Sequence, residues 1–472
     1  MNEIKICPTV KNLVPGEGRY LFTGASVEKE CCVPKLQAML SDITRMTGVE
    51  LKFGEGVVCE LYENEEYDFT IDITPDSAKI QYTKGNICDA MAVLMQIAIV
   101  DDGKLYLPCC HIDDKADLEH RGLMVDLART WHPFEYLLSY VDLCRYYRAS
   151  VLHLHFMDSE SFTLPLECFP KLPSPDRHYT REQIDYLVQY AHDRQIEIMP
   201  EIETPGHSWQ FIARYPEIFG TAGILGFEEC VFEALDKIIA EICEMFPHST
   251  KIHVGGDEAM IEYWLSVDKY VEYAKSLDLI KGEGRMDAER MYATFLKKMT
   301  DIVNKYGRTC VMWEGFAKEV NYICPPSDKL IVVSWENFFQ LTPSLVKEGY
   351  KLINCSWTPM YIVYPNIYWS QQEVYNWNTR RFRPWHPDSP FYRCQLEIPP
   401  YEQMLGGQVL AWGDGLQPDK QSLDTERRLI EDHVAAMCQN TRHDFNDVPY
   451  EKFLENYKAV SERLITAMER DR

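Results

Sequence analysis

The stretch Ile252-His253-Val254-Gly255-Gly256-Asp257-Glu258-Ala259 closes an apolar run with two glycines and then presents two adjacent carboxylates. Glycine lets the backbone turn sharply and lets a ligand come close to it, so Asp257 and Glu258 belong to the end of a strand rather than its interior. Past a strand end, neighbouring side chains are no longer forced to opposite faces, and both acids can serve one pocket. Few reactions need two acids so placed. On the dipeptide alone, an acidic strand end facing water is an equally good reading. Other apolar runs end in a similar way: in His155 and Asp158, in Glu201, Glu203 and His207, in Trp313-Glu314, in Trp335-Glu336, in Trp357 and Tyr361, and in Trp412-Gly413-Asp414. Carboxylates accept hydrogen bonds from hydroxyls and indole faces stack on sugar rings, so this gathering suits a carbohydrate, although packing explains any one tryptophan better. His153-x-His155 with His207 and Asp257 also admits a zinc-dependent hydrolase, but Trp313, Trp335 and Trp412 are followed by acids and not by further histidines.

These side chains have to be positioned by the elements that precede them. Residues 122–127, 151–156, 197–202, 251–254, 309–313, 330–335, 351–356 and 408–412 read as strands, with amphipathic helices at 133–147, 181–194, 228–245, 288–305 and 425–437. Near-continuous apolar strands alternating with helices predict a (β/α)8 TIM barrel over residues 118–445, its chemistry gathered where the strands end. A doubly wound open sheet has the same periodicity and stays open as the alternative. Residues 1–115 mix helices (33–47 and 87–99) with strands (67–73 and 80–82), which predicts a small α+β domain. The charged run Asp113-Asp114-Lys115-Ala116-Asp117 marks its boundary, and residues 446–472 read as a C-terminal helix packed on the barrel.

The balance of 48 Lys+Arg against 73 Asp+Glu gives a net charge of -25. Such a surface repels phosphate backbones and anionic membranes, which excludes nucleic acid and membrane as expected partners. Sixteen cysteines are scattered, two pairs of them adjacent and none in a CxxC spacing, as in a protein with reduced thiols. The first residues carry no apolar leader and no run is long enough to span a bilayer, so the expected location is cytoplasmic. The chain has no phosphate-cradling glycine loop, and no cofactor or metal is expected. A homodimer is left open.

Several of these motifs together resemble glycoside hydrolase family 20, the β-N-acetylhexosaminidases, along nearly the whole chain. They are His120-Arg121-Gly122-Leu123-Met124-Val125-Asp126, Val151 to Asp158 with Phe169-Pro170-Lys171-Leu172, Met199-Pro200-Glu201-Ile202-Glu203-Thr204-Pro205-Gly206-His207, and His253 to Glu258 with Trp264 beyond. The resemblance implies an exo-acting, retaining hydrolase in which the sugar's own 2-acetamido group is the nucleophile, the exception noted for this family. It implies that Asp257 supports the acetamido group, that Glu258 is the acid and then the base, and that His207 and Asp158 form a relay tuning it. Burial and the anion of Asp257 are expected to keep Glu258 protonated. Trp313, Trp335 and Trp412 are expected around the acetamido methyl, with Tyr361 on its carbonyl, and Arg121, Trp264 and Asp414 among the residues binding the sugar. The expected partner is an oligosaccharide or glycoconjugate fragment ending in N-acetylhexosamine.

Departures from the family pattern cluster at one edge. Leu154 and Phe162-Thr163 stand where Trp and Trp-Arg are common, Val363 stands where an acid is usual, and Asp414 replaces Glu. Beside that edge Asn378 to His386 is basic in an acidic chain, which raises the expectation of an anionic substituent near O6, such as a sulfate. A non-catalytic carbohydrate-binding protein on the same scaffold is the alternative of another class.

Overall fold

The computed structural model describes residues 3–62, 66–83, 86–444 and 446–470. Eight parallel strands follow one another in it: His120–Asp126, Val151–His155, Glu197–Thr204, Lys251–Gly255, Thr309–Trp313, Leu330–Ser334, Lys351–Asn354 and Met404–Ala411. The eighth pairs with both the seventh and the first, so the sheet closes. That closure decides for the barrel, since a doubly wound sheet leaves two open edges. The strand ends lie within a few residues of the sequence expectation, because apolar runs buried on both faces are continuous and easy to delimit.

Helices cover the outside. Glu229–Met245 buries Val231, Leu235, Ile238 and Ile242 at the three- and four-residue spacing of one helical face. Arg181–Asp193 starts from a reciprocal cap in which Thr180 and Gln183 satisfy each other's backbone N–H. The barrel interior is less ordinary. His153, His155, Glu201, Glu203 and His253 are all completely or almost completely buried within it, and each therefore needs a polar partner.

The N-terminal region forms a mixed sheet in the order Asn12–Leu21, Lys104–Asp114, Phe69–Ile73, Ala78–Tyr82, Val57–Leu61, Gly24–Val27, Lys52–Phe53. Asn12–Leu21 escaped the sequence reading because it is an edge strand with no buried residue, so it carries no apolar alternation. Helix Val33–Thr47 ends on Gly48 at φ 73°, a left-handed cap. All eleven residues of helix Ile87–Ile97 are buried, since it lies against both the sheet and the first barrel helix, Phe134–Tyr146.

The charged run read as a domain boundary lies where the N-terminal sheet ends, and part of it is enclosed. Asp113 and Asp114 end the strand Lys104–Asp114, and Asp114 is completely buried between Arg148 and Arg442. Polarity marked the run as a boundary, but paired charge can be enclosed. The last helix, Tyr450–Arg470, packs Phe453 and Tyr457 near Tyr375 and Tyr147, and Tyr146 Oη donates to the Val460 carbonyl. No helix among the described residues is long and apolar enough to cross a membrane, and no cysteine is in a disulfide.

Candidate active site

The fourth strand ends in the Gly255-Gly256 turn, at φ 72° and 98°. A side chain could not stand at Gly255, because its Cβ would come within 1.9 Å of Glu203 Oε2. The turn delivers Asp257 half-buried and Glu258 with its side chain 55% exposed. Glu258 (φ 45°) and His207 (φ 48°) both adopt the left-handed backbone region. For residues other than glycine this costs on the order of 1–3 kcal/mol, and such residues cluster at working sites. His207 spans the two halves of the pocket: its Nδ1 lies 3.2 Å from Asp158 Oδ1 and its Nε2 3.3 Å from Glu258 Oε2.

These contacts set the charges. Burial opposes a charged His207, but hydrogen bonds to Asp158 and Glu258 and the anions around it outweigh that and raise its pKa to about 12. Glu258 is lowered, first by its hydrogen bond to His207. Asp257 is raised, chiefly by burial. This departs from the expectation that burial keeps Glu258 protonated: the turn exposes Glu258 to water and sets it beside His207, and Asp257 is the more buried of the two acids. One oxygen of Asp257, Oδ1, is enclosed with no hydrogen-bond partner among the described residues.

Aromatic rings build the wall beside it. Trp412 lies 6.0 Å from both Trp313 and Tyr361, and Tyr361 stacks at 4.8 Å on Trp357, which stacks in turn on Trp385. Trp335 is half-buried at the end of the sixth strand, its indole N–H on the Glu314 carbonyl. Asp158, His207, Asp257, Glu258, Trp313, Trp335, Tyr361, Trp412 and Asp414 therefore share the end of the barrel at which the strands finish.

Two expected sugar contacts lie elsewhere. Arg121 is near the start of the first strand, buried, with its guanidinium on the carbonyls of Arg148 and Leu118, away from the mouth. The cation at the mouth is Arg129, which sequence reasoning missed. It bonds Asp126 at 3.1 Å and Asp158 at 2.8 Å, approaches Asp414 at 3.4 Å and lies over Trp412. Its position past the strand end, three residues after Asp126, was the available signal. Trp264 is completely buried between Phe227 and Phe295, with its indole N–H on the Leu225 carbonyl, so it packs and does not face a ligand.

The basic segment does not form one surface. Arg381 pairs with Glu397 and Thr379 with Asp444, whereas the backbone N–H groups of Trp385 and His386 both donate to Glu336 at the barrel mouth. Among the described residues, histidines and acids also come close enough to share an ion in three groups, His153-Glu201-His253, His155-Glu201-Glu203 and His207-Asp257-Glu258. In the last two the imidazole nitrogens already face carboxylates that favour the protonated form, and a protonated imidazole cannot ligate.

A closed barrel with paired acids and a tryptophan wall at its strand ends defines the glycoside hydrolase class. Residues 118–426 match the family model described as glycosyl hydrolase family 20, catalytic domain, and the chain belongs to that family. Among curated relatives, the beta-hexosaminidase of Akkermansia muciniphila is 34% identical over 241 residues, 45% of this chain and 48% of that protein. The human beta-hexosaminidase subunit beta is 27% identical over 219 residues, 43% of this chain and 38% of that one. These matches thus span about half or less of the relatives' length. Among solved structures, the exo beta-N-acetylglucosaminidase of Vibrio harveyi superposes with a TM-score of 0.80 at 18% identity, covering 98% of this chain and 77% of that one. The beta-N-acetylhexosaminidase of Bacteroides fragilis gives 0.78 at 18%, covering 98% and 95%. At these identities the likeness is one of fold.

Proposed function

We propose that this protein is an exo-acting β-N-acetylhexosaminidase that removes terminal N-acetylhexosamine by a retaining, substrate-assisted mechanism. The observation that carries this reading is the enclosed Oδ1 of Asp257, without a hydrogen-bond partner among the described residues, near Tyr361 of the Trp313-Trp412-Tyr361 wall. A buried acceptor without a donor is costly, and an acetamido N–H seated against the wall satisfies it. The relatives' printed names, and the N-acetylglucosamine bound in the Vibrio structure, point to the same sugar.

In the first step the acetamido oxygen attacks C1 while the C1–O bond to the leaving group breaks and Glu258 passes its proton to the departing oxygen. The cyclic cation so formed is stabilised by Asp257. In the second step Glu258, now a carboxylate, takes a proton from water, the water oxygen bonds to C1 and the ring reopens with retention. The seated sugar covers Glu258, and loss of solvent counteracts the pull of His207 and raises its pKa. Arg129, framed by Asp126, Asp158 and Asp414, is the cation for the outer hydroxyls, the part first expected of Arg121.

Aryl N-acetylglucosaminides and N-acetylgalactosaminides compared with the matching aryl glucosides test the proposal. Turnover confined to the amide-bearing sugars, with tight inhibition by a thiazoline mimic of the cyclised intermediate, is expected. Equal turnover of glucosides, or binding without turnover, overturns it.

A further inference from the structure

Below the mouth the hydrogen bonds do not stop at Asp158. Its second oxygen, Oδ2, lies 3.1 Å from His155 Nε2, and His155 Nδ1 lies 2.6 Å from Glu201 Oε2. Glu201 Oε1 then accepts the indole N–H of Trp313 at 2.8 Å. The path from Glu258 through His207, Asp158 and His155 to Glu201 therefore alternates acid and imidazole, and it returns to the pocket at the tryptophan that floors it. Glu201, completely buried on the third strand, is the only member that belongs to both arms.

We infer that Glu201 is a positioning residue for both halves of the site: through His155 and Asp158 it keeps His207 aimed at Glu258, and through Trp313 it fixes the pocket wall. The roles of Glu258 and Trp313 in this inference rest on the hexosaminidase reading, whereas the path itself rests on geometry alone. A buried carboxylate costs several kcal/mol unless it is paired and hydrogen-bonded, and an apolar residue of similar volume would fill the space without that cost. Glu201 is instead surrounded. His153 Nε2 is 3.0 Å from Oε2 and His253 Nδ1 is 2.5 Å from Oε1.

The surrounding groups favour one pattern of charge. Burial opposes ionisation of Glu201, but His253, His155 and His153 outweigh it and hold the carboxyl well below its usual range. Burial likewise opposes a charged His155, and Glu201 and Asp158, with Asp126 beyond, raise it well above an ordinary imidazole. Glu203, 3.8 Å from His155 Nδ1, is pushed well up, first by burial and then by Asp257 and Glu201, so it stays neutral and does not compete as an anion. His207 faces Asp158, Glu203, Asp257 and Glu258. The result is a sequence of minus, plus, minus, plus, minus from Glu258 to Glu201.

Removing the inner charge propagates outward. In Glu201→Gln, His155 gives up its proton at lower pH and no longer anchors Asp158, which keeps Arg129 but is less firmly placed against His207, so the bond from His207 to Glu258 weakens and the pKa of Glu258 rises. The basic limb of kcat/KM against pH, which reports an acid that must be protonated, moves to higher pH. The kcat falls by about tenfold, short of the roughly 10²–10⁴ that loss of the acid itself costs. His155→Gln shifts the same limb while sparing the bond from Glu201 to Trp313. Trp313→Phe raises KM several-fold and leaves the limb in place. Imidazole 15N titration of His207, expected to move to lower pH in Glu201→Gln and His155→Gln, gives a readout that needs no substrate and survives failure of the hexosaminidase reading. A folded Glu201→Gln with unshifted limb and unshifted His207 overturns the inference, as does a limb shift in Trp313→Phe. Failure of both Glu201→Gln and His155→Gln to fold overturns it as well, since these residues would then serve the fold alone.

Discussion

Where the N-terminal sheet meets the barrel, Asp89 and Asp114 are held by Arg145, Arg148 and Arg442; inside the barrel, Asp158 and Glu201 are held by His155 and His207. Both clusters bury charge at a cost, and both offset it with paired hydrogen bonds. Arg129 also bonds Asp158 from the barrel mouth, but along the path from Glu201 to Glu258 the cations are histidines. Arginine stays protonated at any pH the protein meets, so the first cluster has one state and can serve only to dock two layers. Histidine can give up its proton, even though the surrounding carboxylates raise His155 and His207 well above an ordinary imidazole, so a change of charge in the second cluster can reach Glu258. The choice of cation thus separates a joint from a working site.

The largest expected effect is at the mouth. Asp257→Asn and Glu258→Gln each lower turnover by about 10²–10⁴ or more, and a good phenolic leaving group partly restores the Glu258 variant alone because it needs less protonation. Steady-state kinetics on activated and unactivated aryl glycosides check this, and equal losses on both would count against Glu258 as the acid. At the joint, Arg442→Met leaves Asp89 and Asp114 short of a partner and costs about 3–5 kcal/mol of stability, read as a lower urea midpoint, with activity per folded molecule retained. A large kinetic defect there would erase the contrast between the two clusters.

Smaller effects sharpen the comparison through pH. Burial opposes the ionised form of Asp114, but Arg442 and Arg148 outweigh it and depress its pKa. The stability it contributes is present above its unfolded value and is lost as pH falls through the folded one. For His207, raised from 6.5 to about 12, the contribution is complete below 6.5 and is lost as pH rises toward 12. Urea midpoints should therefore lose the Arg442 effect in acid and a His207→Gln effect in alkali. The smallest effect is expected of Arg381→Ala, since its pair with Glu397 is well exposed. Such pairs are worth about 0–1 kcal/mol, and hydrolysis of plain and 6-sulfated N-acetylglucosaminides should be unchanged relative to each other.

Much of this architecture was legible because two-sided burial leaves a plain mark. The continuous apolar runs located all eight barrel strands, and the glycines before Asp257 located the turn that carries the acids. The edge strand Asn12–Leu21 left no such mark. Arg121 was placed in the pocket because it adjoins a recognisable strand, but it precedes the apolar run and so sits at the strand's start. Arg129, after the run, holds the position. Trp264 shows the converse: a tryptophan near the acids was read as a ligand contact, and only its enclosure by Phe227 and Phe295 shows that it packs.

Residue type and spacing by themselves determined that strands alternate with helices and that acids and indoles follow the strands, because backbone periodicity and burial are written locally. Closure of the barrel, the opposite pKa shifts of Asp257 and Glu258, and the joining of Glu201 to both His155 and Trp313 were decided only in three dimensions. Each depends on which side chains from different strands come within hydrogen-bond distance, and on how much water is left between them.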